Sequence, residues 1–189
     1  PLNIYLMDGV YSPSTNQERF PFNGRSYVSL IGESMENTIF DADSSYFFYK
    51  SSGVQTRFRI ENITMKNSYG GDRIAMTSGA MYFLCPVEAT LNNILIKNCH
   101  ENSTSGIGFD SPDKLNLKNI TLNNLKGGSV LHMGNTFAPK KTFKCDNISI
   151  MNCRPDPDPI QTGCECLVLG VTGDFYNDDI FTGTITNLQ

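Results

Sequence analysis

The chain carries little charge for its length. Lys, Arg, Asp and Glu together make up 18% of its 189 residues, against about 25% in an ordinary soluble protein. The formal net charge is -4 at pH 7, and we expect no basic stripe that would neutralise phosphates, which argues against a nucleic-acid partner. The longest apolar run, near residues 166–171, is far shorter than the roughly 20 residues of a membrane-spanning helix. No CxxC pair occurs, which argues against a structural zinc site.

Asn, Ser, Thr and Gly take the place of charged residues, and the asparagines recur in a fixed pattern. Residues 115–124 follow the pattern apolar-x-apolar-x-Asn-Ile-x-apolar-x-Asn. Further copies begin at Phe58, Ala89 and Phe143, and a degenerate copy covers residues 180–187. Successive full copies place their first Asn 31, 26 and 28 residues apart. A repeat of this length, with apolar residues at every second position, predicts a solenoid of stacked β-strands.

The two Asn columns of this repeat have a physical explanation. The first Asn of each copy lies between two strand segments, at a tight corner, and Asn tolerates the left-handed φ that such a corner requires. Stacked amides can also hydrogen-bond to one another along the solenoid axis. We therefore expect a structural, inward-facing Asn ladder at Asn62, Asn93, Asn119 and Asn147. The second Asn of each copy is expected to face solvent: Asn67, Asn98, Asn124 and Asn152.

A leucine-rich repeat has a similar repeat length and is the rival fold. It requires a helix or a 3₁₀ segment in each return. The returns at residues 68–77 and 100–105 are instead rich in Gly, Ser and Asn, so we expect loops that lead directly into another strand. We therefore predict an all-β chain that forms one single-stranded parallel β-helix domain over residues 1–189, with about six coils. Because a strand pattern begins at residue 2, the domain is expected to be a fragment or the mature part of a longer protein.

The opening segments IYLMDGVY and YVSLIGESMENTIFDAD resemble the first coils of right-handed parallel β-helices of the pectin-lyase-like superfamily. The later segments NITMKN and SGAMY resemble the repeats of bacterial surface β-helices. This resemblance covers nearly the whole chain. It implies a right-handed β-helix in a secreted or cell-surface protein of bacterial type. It does not specify the chemistry, because the superfamily includes lyases, hydrolases, esterases, adhesins and structural stalks.

Enzymes of this superfamily place acidic residues, together with an Arg or Lys, on one strand face and the loops beside it. By that analogy the catalytic candidates are Asp72, Arg73 and Asp110. They do not recur at the coil spacing on one face, and no Asp-Asp dyad lies in a predicted strand. We therefore interpret them as solvated loop residues rather than as a catalytic group.

The two histidines are expected to have no catalytic role. His132 aligns with Phe83 and Phe109 in a column that is expected to face inward, which favours a packed histidine over a catalytic one. His100 follows the second Asn of its coil and is expected to be exposed.

Residues 154–159 alternate Pro with Asp, and each Pro holds its predecessor out of helix, which predicts a stiff extended loop. Asp156 and Asp158 in this loop could bind calcium, which prefers oxygen ligands. A rigid surface loop without metal is the favoured interpretation. No other cofactor is expected.

The six cysteines fit either an exported protein or a set of buried thiols. Cys145 shares the inward column of the repeat and is expected to be buried. Cys99 and Cys153 occupy equivalent positions two coils apart, roughly 9–10 Å by strand spacing, which is too far for a disulfide. The best candidate for a disulfide is the pair Cys153 and Cys164, which would close the proline-rich loop.

Three functions are compatible with this sequence. The favoured one is a non-enzymatic exported or cell-surface β-helix module, acting as a stalk, an adhesin or a glycan-contacting domain. The second, a polysaccharide lyase or glycoside hydrolase, follows from the superfamily resemblance alone. The third is a scaffold that docks another protein through its open coil ends, since a solenoid must cap its ends. The expected partners are accordingly a polysaccharide, another surface protein or further domains of a parent chain.

Overall fold

The computed structural model describes residues 2–20, 22–23, 25–45, 47–50, 56–69, 80–84, 86–110, 112–135, 141–154, 165–171 and 181–188. In these ranges the chain forms almost only β-strands. The elements are α1 (Pro13–Asn16), β1 (Leu2–Leu6), β2 (Gly9–Tyr11), β3 (Phe22–Asn23), β4 (Val28–Gly32), β5 (Thr38–Asp41), β6 (Phe48–Lys50), β7 (Thr56–Lys66), β8 (Met81–Leu84), β9 (Pro86–Lys97), β10 (His100–Asp110), β11 (Lys114–Asn123), β12 (Lys126–Asn135), β13 (Lys141–Met151), β14 (Glu165–Val171) and β15 (Phe181–Leu188).

The strands belong to two parallel sheets. In the first sheet the order is β1-β4-β7-β9-β11-β13-β15, with β2 and β5 alongside. In the second sheet the order is β14-β12-β10-β8-β6-β3. Strands therefore pair with the equivalent strands one turn away, which is the connectivity of a parallel β-helix. The predicted fold class is confirmed. The solenoid has about four turns, fewer than the expected number of about six.

Apolar side chains fill the interior in columns that run along the solenoid axis. One column of buried residues in successive turns comprises Ile60, Leu91, Leu117 and Cys145. The predicted inward orientation of Ile94 and Ile96 is confirmed, since both are 0% exposed. Removing this apolar surface from water stabilises the fold by about 25 cal/mol per Å².

Each regular turn bends sharply within one long strand of the first sheet. Strands β7, β9, β11 and β13 each continue through a corner Asn, and the strand pairing skips that residue. Both Asn columns have φ between 53° and 59°, in the left-handed region: Asn62, Asn67, Asn93, Asn98, Asn119, Asn124, Asn147 and Asn152. This result confirms the corner explanation, because Asn enters the left-handed region at lower cost than most other residues.

Amide hydrogen bonds link the corner asparagines of successive turns. The Nδ2 of Asn93 donates to Oδ1 of Asn62 at 3.0 Å, and the Nδ2 of Asn147 donates to Oδ1 of Asn119 at 2.9 Å. Asn62 in turn donates to the carbonyl oxygen of Gly32 at 3.1 Å. The predicted ladder is therefore present. Three of its members, Asn62, Asn93 and Asn119, are half-buried, and the fourth, Asn147, is exposed. The ladder therefore lies at the rim of the core rather than facing into it.

The second Asn column is exposed, as expected. Asn124 Nδ2 donates to Oδ1 of Asn98 at 2.8 Å. Asn152 Nδ2 donates to Oδ1 of Asn123 at 3.0 Å, so the link shifts by one residue at that turn. The first column thus links neighbouring turns at the corner inside each bent strand, and the second links them directly after the strand ends.

The return at residues 100–105 is a strand, so the expectation of a loop there was wrong. These residues belong to β10 and pair with β12 through two register shifts. The pairing buries Thr104 and Ser105, whose hydroxyls would otherwise favour a loop. Thr104 Oγ1 lies 3.0 Å from Ser129 Oγ, and Ser105 Oγ donates to the Ser129 carbonyl at 3.3 Å. These bonds satisfy the buried hydroxyls and allow the polar segment to remain in the sheet.

Candidate functional site

The carboxylate of Asp110 lies in a small polar group on the outer face of the second sheet. Register aligns Tyr82, Gly108 and His132 in the successive strands β8, β10 and β12, and Asp110 lies two residues beyond Gly108 on the same face. The Tyr82 hydroxyl donates to Oδ2 of Asp110. The Nε2 of His132 lies 3.6 Å from Oδ1. We call Tyr82, Asp110 and His132 the carboxylate row.

Gly108 makes this arrangement possible. A Cβ at this position would lie 2.7 Å from Cδ2 of Tyr82, so the Tyr82 ring occupies the space that a side chain would take. Tyr82 is only 5% exposed, whereas the side chains of Asp110 and His132 are 19% and 29% exposed. Tyr82 therefore positions the carboxylate, while the carboxylate and the imidazole remain accessible to a ligand.

The expectation that His132 packs inward was wrong. The register shifts between β10 and β12 place Leu131 beside Ile107 and Met133 beside Phe109. His132 consequently lies one residue out of the column expected for it and points to the opposite face, because strand side chains alternate. Leu131 and Met133, on either side of His132, are buried, and so is Val130.

The carboxylate row keeps Asp110 ionised. The contact with His132 lowers the pKa of the Asp110 carboxyl, and the hydrogen bond from Tyr82 acts in the same direction. Desolvation opposes these effects but is outweighed. An ionised carboxylate beside an imidazole can accept hydrogen bonds from hydroxyl groups or act as a base. It is poorly suited to the general-acid role in glycoside cleavage, which requires a raised pKa.

Among the described residues, no second carboxylate lies in register with Asp110. The residues in register with Asp110 are Leu84, Gly134 and, one turn further, Gly170. Glycoside hydrolases of the two-carboxylate type place their acid groups roughly 5–10 Å apart. The described residues in register with Asp110 do not supply such a pair of carboxylates.

A column of basic and aromatic residues lies where the turns enter the second sheet. Strand pairing places Tyr69, His100, Lys126 and Arg154 beside one another in four successive turns. The ring centroids of Tyr69 and His100 are 5.2 Å apart. Neighbouring members follow the parallel strand spacing of about 4.8 Å. We call these four residues the basic column.

The basic column faces outward. The residue before each member points inward, and three of these residues, Ser68, Cys99 and Leu125, are buried. Tyr69 and Arg154 are exposed, and His100 and Lys126 are half-buried. The sequence contains the signal for this column, because each member lies two residues after the second Asn of its repeat. The expectation that His100 is exposed was wrong, since it is half-buried, and that expectation missed the column.

Several predicted site residues lie outside the described residues. These are the catalytic candidates Asp72 and Arg73, the calcium candidates Asp156 and Asp158, and Cys164 of the proposed disulfide. Of the predicted catalytic residues, Asp110 lies within the described ranges, and it contacts Tyr82 and His132.

Burial makes Cys99 and Cys145 poor nucleophiles. Desolvation raises the pKa of the Cys99 thiol to about 12 and that of the Cys145 thiol to about 11. The thiolate is the reactive form of cysteine, so both side chains act as small apolar groups of the core. The predicted burial of Cys145 is confirmed.

Within the described ranges, no three His, Cys, Asp or Glu side chains converge in a way that could hold a metal ion. No helix in the same ranges is long and apolar enough to cross a membrane.

Comparisons with protein-family models, curated proteins and solved structures find no match for this chain.

Proposed function

We propose that this chain is a rigid, non-enzymatic β-helix module that contacts a polyanionic glycan in a secreted or cell-surface protein. The observation that carries the proposal is the basic column, which presents an aromatic ring, an imidazole and two permanent cations at one-turn intervals. His100 and Lys126 are the first residues of β10 and β12, and Tyr69 and Arg154 pair with them through isolated bridges. This backbone pairing means that little backbone order has to be gained on binding.

The spacing of the basic column suits a linear polymer of acidic sugars. Members follow one another at about 4.8 Å along the axis, and an extended acidic polysaccharide presents carboxylates at regular intervals. Lys126 and Arg154 would bind the carboxylates, since their charges are the complement of the ligand's. The exposed ring of Tyr69, at one end of the column, would stack on the apolar face of a sugar.

The resemblance of the repeats to pectin-lyase-like and bacterial surface β-helices supports the same proposal. By that resemblance the chain would be exported and would meet polysaccharides outside the cell. Membership of that superfamily, bacterial origin and export are parts of the proposal.

The test is a binding measurement on the 189-residue chain by isothermal titration calorimetry. Polygalacturonate serves as the acidic glycan and dextran as the neutral one. We expect binding to polygalacturonate that weakens as salt is added, because exposed charges are screened, and no binding to dextran. The double variant Lys126→Ala/Arg154→Ala should bind about tenfold more weakly.

A matched control is available in the first sheet. Lys118 and Lys144 are exposed on β11 and β13, and the double variant Lys118→Ala/Lys144→Ala changes the net charge by the same amount. It should bind as the parent chain does. Equal losses in both double variants would mean that net charge alone governs binding and would contradict the role of the basic column.

A polysaccharide lyase or hydrolase is the second candidate, and the accessible Asp110–His132 pair favours it. Its test is a depolymerisation screen on acidic and neutral polysaccharides, with and without calcium, read by unsaturated-product absorbance and by reducing ends. Activity that is lost in both Asp110→Asn and His132→Ala would establish an enzyme and overturn the non-enzymatic proposal. If the chain forms no more product than a blank that contains substrate alone, the non-enzymatic binding proposal stands.

A further inference from the structure

An apolar cavity lies between the two sheets at the end of the solenoid where β1 and β3 are the last strands. Its volume is about 340 Å³. Five aromatic side chains line it: Tyr11, Phe22, Phe40, Phe58 and Phe83. The aliphatic part of the wall comes mainly from β1 and β4. The cavity is separate from the basic column, so an inference about it does not depend on the proposed glycan contact.

One apolar column of the core continues into the wall of the cavity. Register connects Ile60 to Leu30 and Leu30 to Ile4. Exposure increases along this column, from 3% at Ile60, through half-buried Leu30, to 39% at Ile4. In the middle turns the equivalent positions are fully buried. The interior thus changes from close-packed core to open space within two turns.

The dimensions and chemistry of the cavity match those of a small-molecule site. Ligand cavities measure about 300–1,000 Å³ and combine an apolar wall with a few polar groups. Here the charged residues in the lining are Glu18 and Arg25. Arg25 is exposed and Glu18 is half-buried. A ligand would therefore bury an apolar body and direct one polar group toward these two residues.

The dimensions of the cavity limit which molecules can enter it. Packed sheets lie about 10 Å apart, which leaves room for side chains but not for another chain. A helix of a partner protein, about 10–12 Å across, cannot enter this space, whereas a flat ring system or a short alkyl chain can. An apolar wall of this kind favours a ligand with an apolar body. We propose that this cavity binds a small, largely apolar molecule, either a planar ring system or a short alkyl chain, that carries one polar group.

The test is a fluorescence titration of the full chain with N-phenyl-1-naphthylamine, whose emission rises in apolar surroundings. The chain contains no Trp, so its own emission interferes little. We expect saturable one-to-one binding with a Kd on the order of 1–100 µM and an increase in Tm with probe concentration. The variant Val28→Phe, which adds a ring to the cavity wall, should weaken binding at least tenfold.

Tyr5→Ser is the matched control. Tyr5 lies on β1 between two cavity residues but points away and is 72% exposed, so its loss removes exposed aromatic surface without changing the cavity. Binding should be unchanged in this variant. Equal weakening in Tyr5→Ser and Val28→Phe, or binding without saturation, would assign the probe to the exposed surface and overturn the proposal.

Two further measurements keep the proposal testable if Val28→Phe does not fold. In methyl NMR spectra of the parent chain, saturation with the probe should shift the signals of Ile4, Leu6 and Leu30 and leave those of Leu91 and Leu117 in place. Sedimentation velocity should show a monomer with and without probe. Self-association that the probe disrupts would assign this end to a second copy of the chain and contradict a small-molecule site.

Discussion

At the scale of single residues, the stability of this protein depends on asparagines in an unusual backbone conformation. A non-glycine residue in the left-handed region ordinarily costs roughly 1–2 kcal/mol. Here eight asparagines adopt it, and six of them form amide hydrogen bonds to another Asn of the same column. The other two donate to side chains outside the columns, Asn67 to Asp41 and Asn152 to Asn123. The side chain thus offsets part of the cost of its own backbone geometry.

Substitutions at Asn93 separate these two contributions. Asn93→Gly keeps the left-handed φ without strain but removes the bond to Asn62, so it should lower the free energy of unfolding by about 1 kcal/mol. Asn93→Ala removes the bond and adds strain, so it should lower it by about 2 kcal/mol. Urea unfolding measures both values.

Asn116→Ala, at an exposed strand position, is the control and should lower the free energy of unfolding by less than about 0.5 kcal/mol. Equal costs for Asn93→Gly and Asn93→Ala would contradict a strain contribution.

The pH dependence of stability tests the carboxylate row. The pKa of Asp110 is lower in the folded chain than its ordinary value of 3.8, so the carboxylate stabilises the fold above that value, and the contribution disappears as pH falls through the folded pKa. Asp110→Asn keeps an acceptor for Tyr82 and removes the charge. It should lower the free energy of unfolding by about 1 kcal/mol at pH 7.

The expected difference between Asp110→Asn and the parent chain should shrink toward zero in acid, as measured by urea unfolding at a series of pH values. Asp113 is exposed and close in sequence, and Asp113→Asn should change stability little at any pH. A pH-independent loss in Asp110→Asn would mean that the charge does not contribute and that the amide is simply a poorer fit.

At the scale of elements, the bent strands determine where close backbone contacts occur. Gly32 ends β4 one turn before the first corner Asn, and its carbonyl accepts the hydrogen bond from Asn62. A Cβ on Gly32 would lie 2.1 Å from the carbonyl oxygen of Asn62 and 2.9 Å from Cβ of Thr38. The β4–β7 corner therefore has no space for a side chain at this position.

Two glycine substitutions test this packing. Gly32→Ala should lower the free energy of unfolding by at least about 2 kcal/mol, because backbone atoms must move to admit the methyl group. Gly9→Ala provides the control, since no atom lies within 4 Å of a Cβ built there, and it should change stability by less than about 1 kcal/mol. Thermal and urea unfolding of the two variants gives the comparison. A mild effect at Gly32 would show that the β4–β7 corner can widen.

The elements also show what the sequence could and could not predict. The period-two pattern and the spacing of the asparagines were sufficient for the sheets, the corners and the inward column of Ile60, Leu91 and Leu117. The face of His132 could not be predicted, because it depends on register shifts between β10 and β12. Those shifts depend in turn on the fit of buried hydroxyls, such as that of Thr104, to their partners in the next turn. No local pattern in the sequence encodes that fit.

The basic column could be found from the repeat, whereas the cavity could not. Each member of the column has a fixed offset from an Asn, so stacking the copies is enough to align Lys126 with Arg154. The cavity at the β1 end is a gap, and its volume depends on how far side chains such as Phe58 and Phe83 reach across the interior. Sequence patterns specify which residues face inward but not how completely they fill the space.

At the scale of the whole molecule, each turn of the solenoid contacts only its neighbours. Stability in such an architecture is approximately a sum of contributions from single turns and from their interfaces. The middle turns have neighbours on both sides, whereas β1 pairs only with β4 among the described strands. Large exposed apolar side chains accordingly concentrate near the β1 end, including Leu2, Tyr5 and Met7.

Amide hydrogen exchange should follow this order. Strands β9 and β11 pair on both sides and should exchange slowest, near the free energy of global unfolding, while β1 should exchange fastest by local opening. Exchange measured by mass spectrometry on peptic peptides resolves the strands. Uniform protection from β1 to β11 would contradict turn-by-turn stability and would indicate that the β1 end is covered in solution.

The spacing between successive corner asparagines has a consequence for how this protein can change over evolution. Successive corners are 31, 26 and 28 residues apart, yet their strands stack without loss of register, so differences in length are absorbed in the returns. Duplication or loss of one whole turn would preserve every inward column and add or remove one rung of the ladder. A single-residue insertion inside β9 would instead reverse the two faces of half a strand. For this molecule the larger genetic change is the more conservative one.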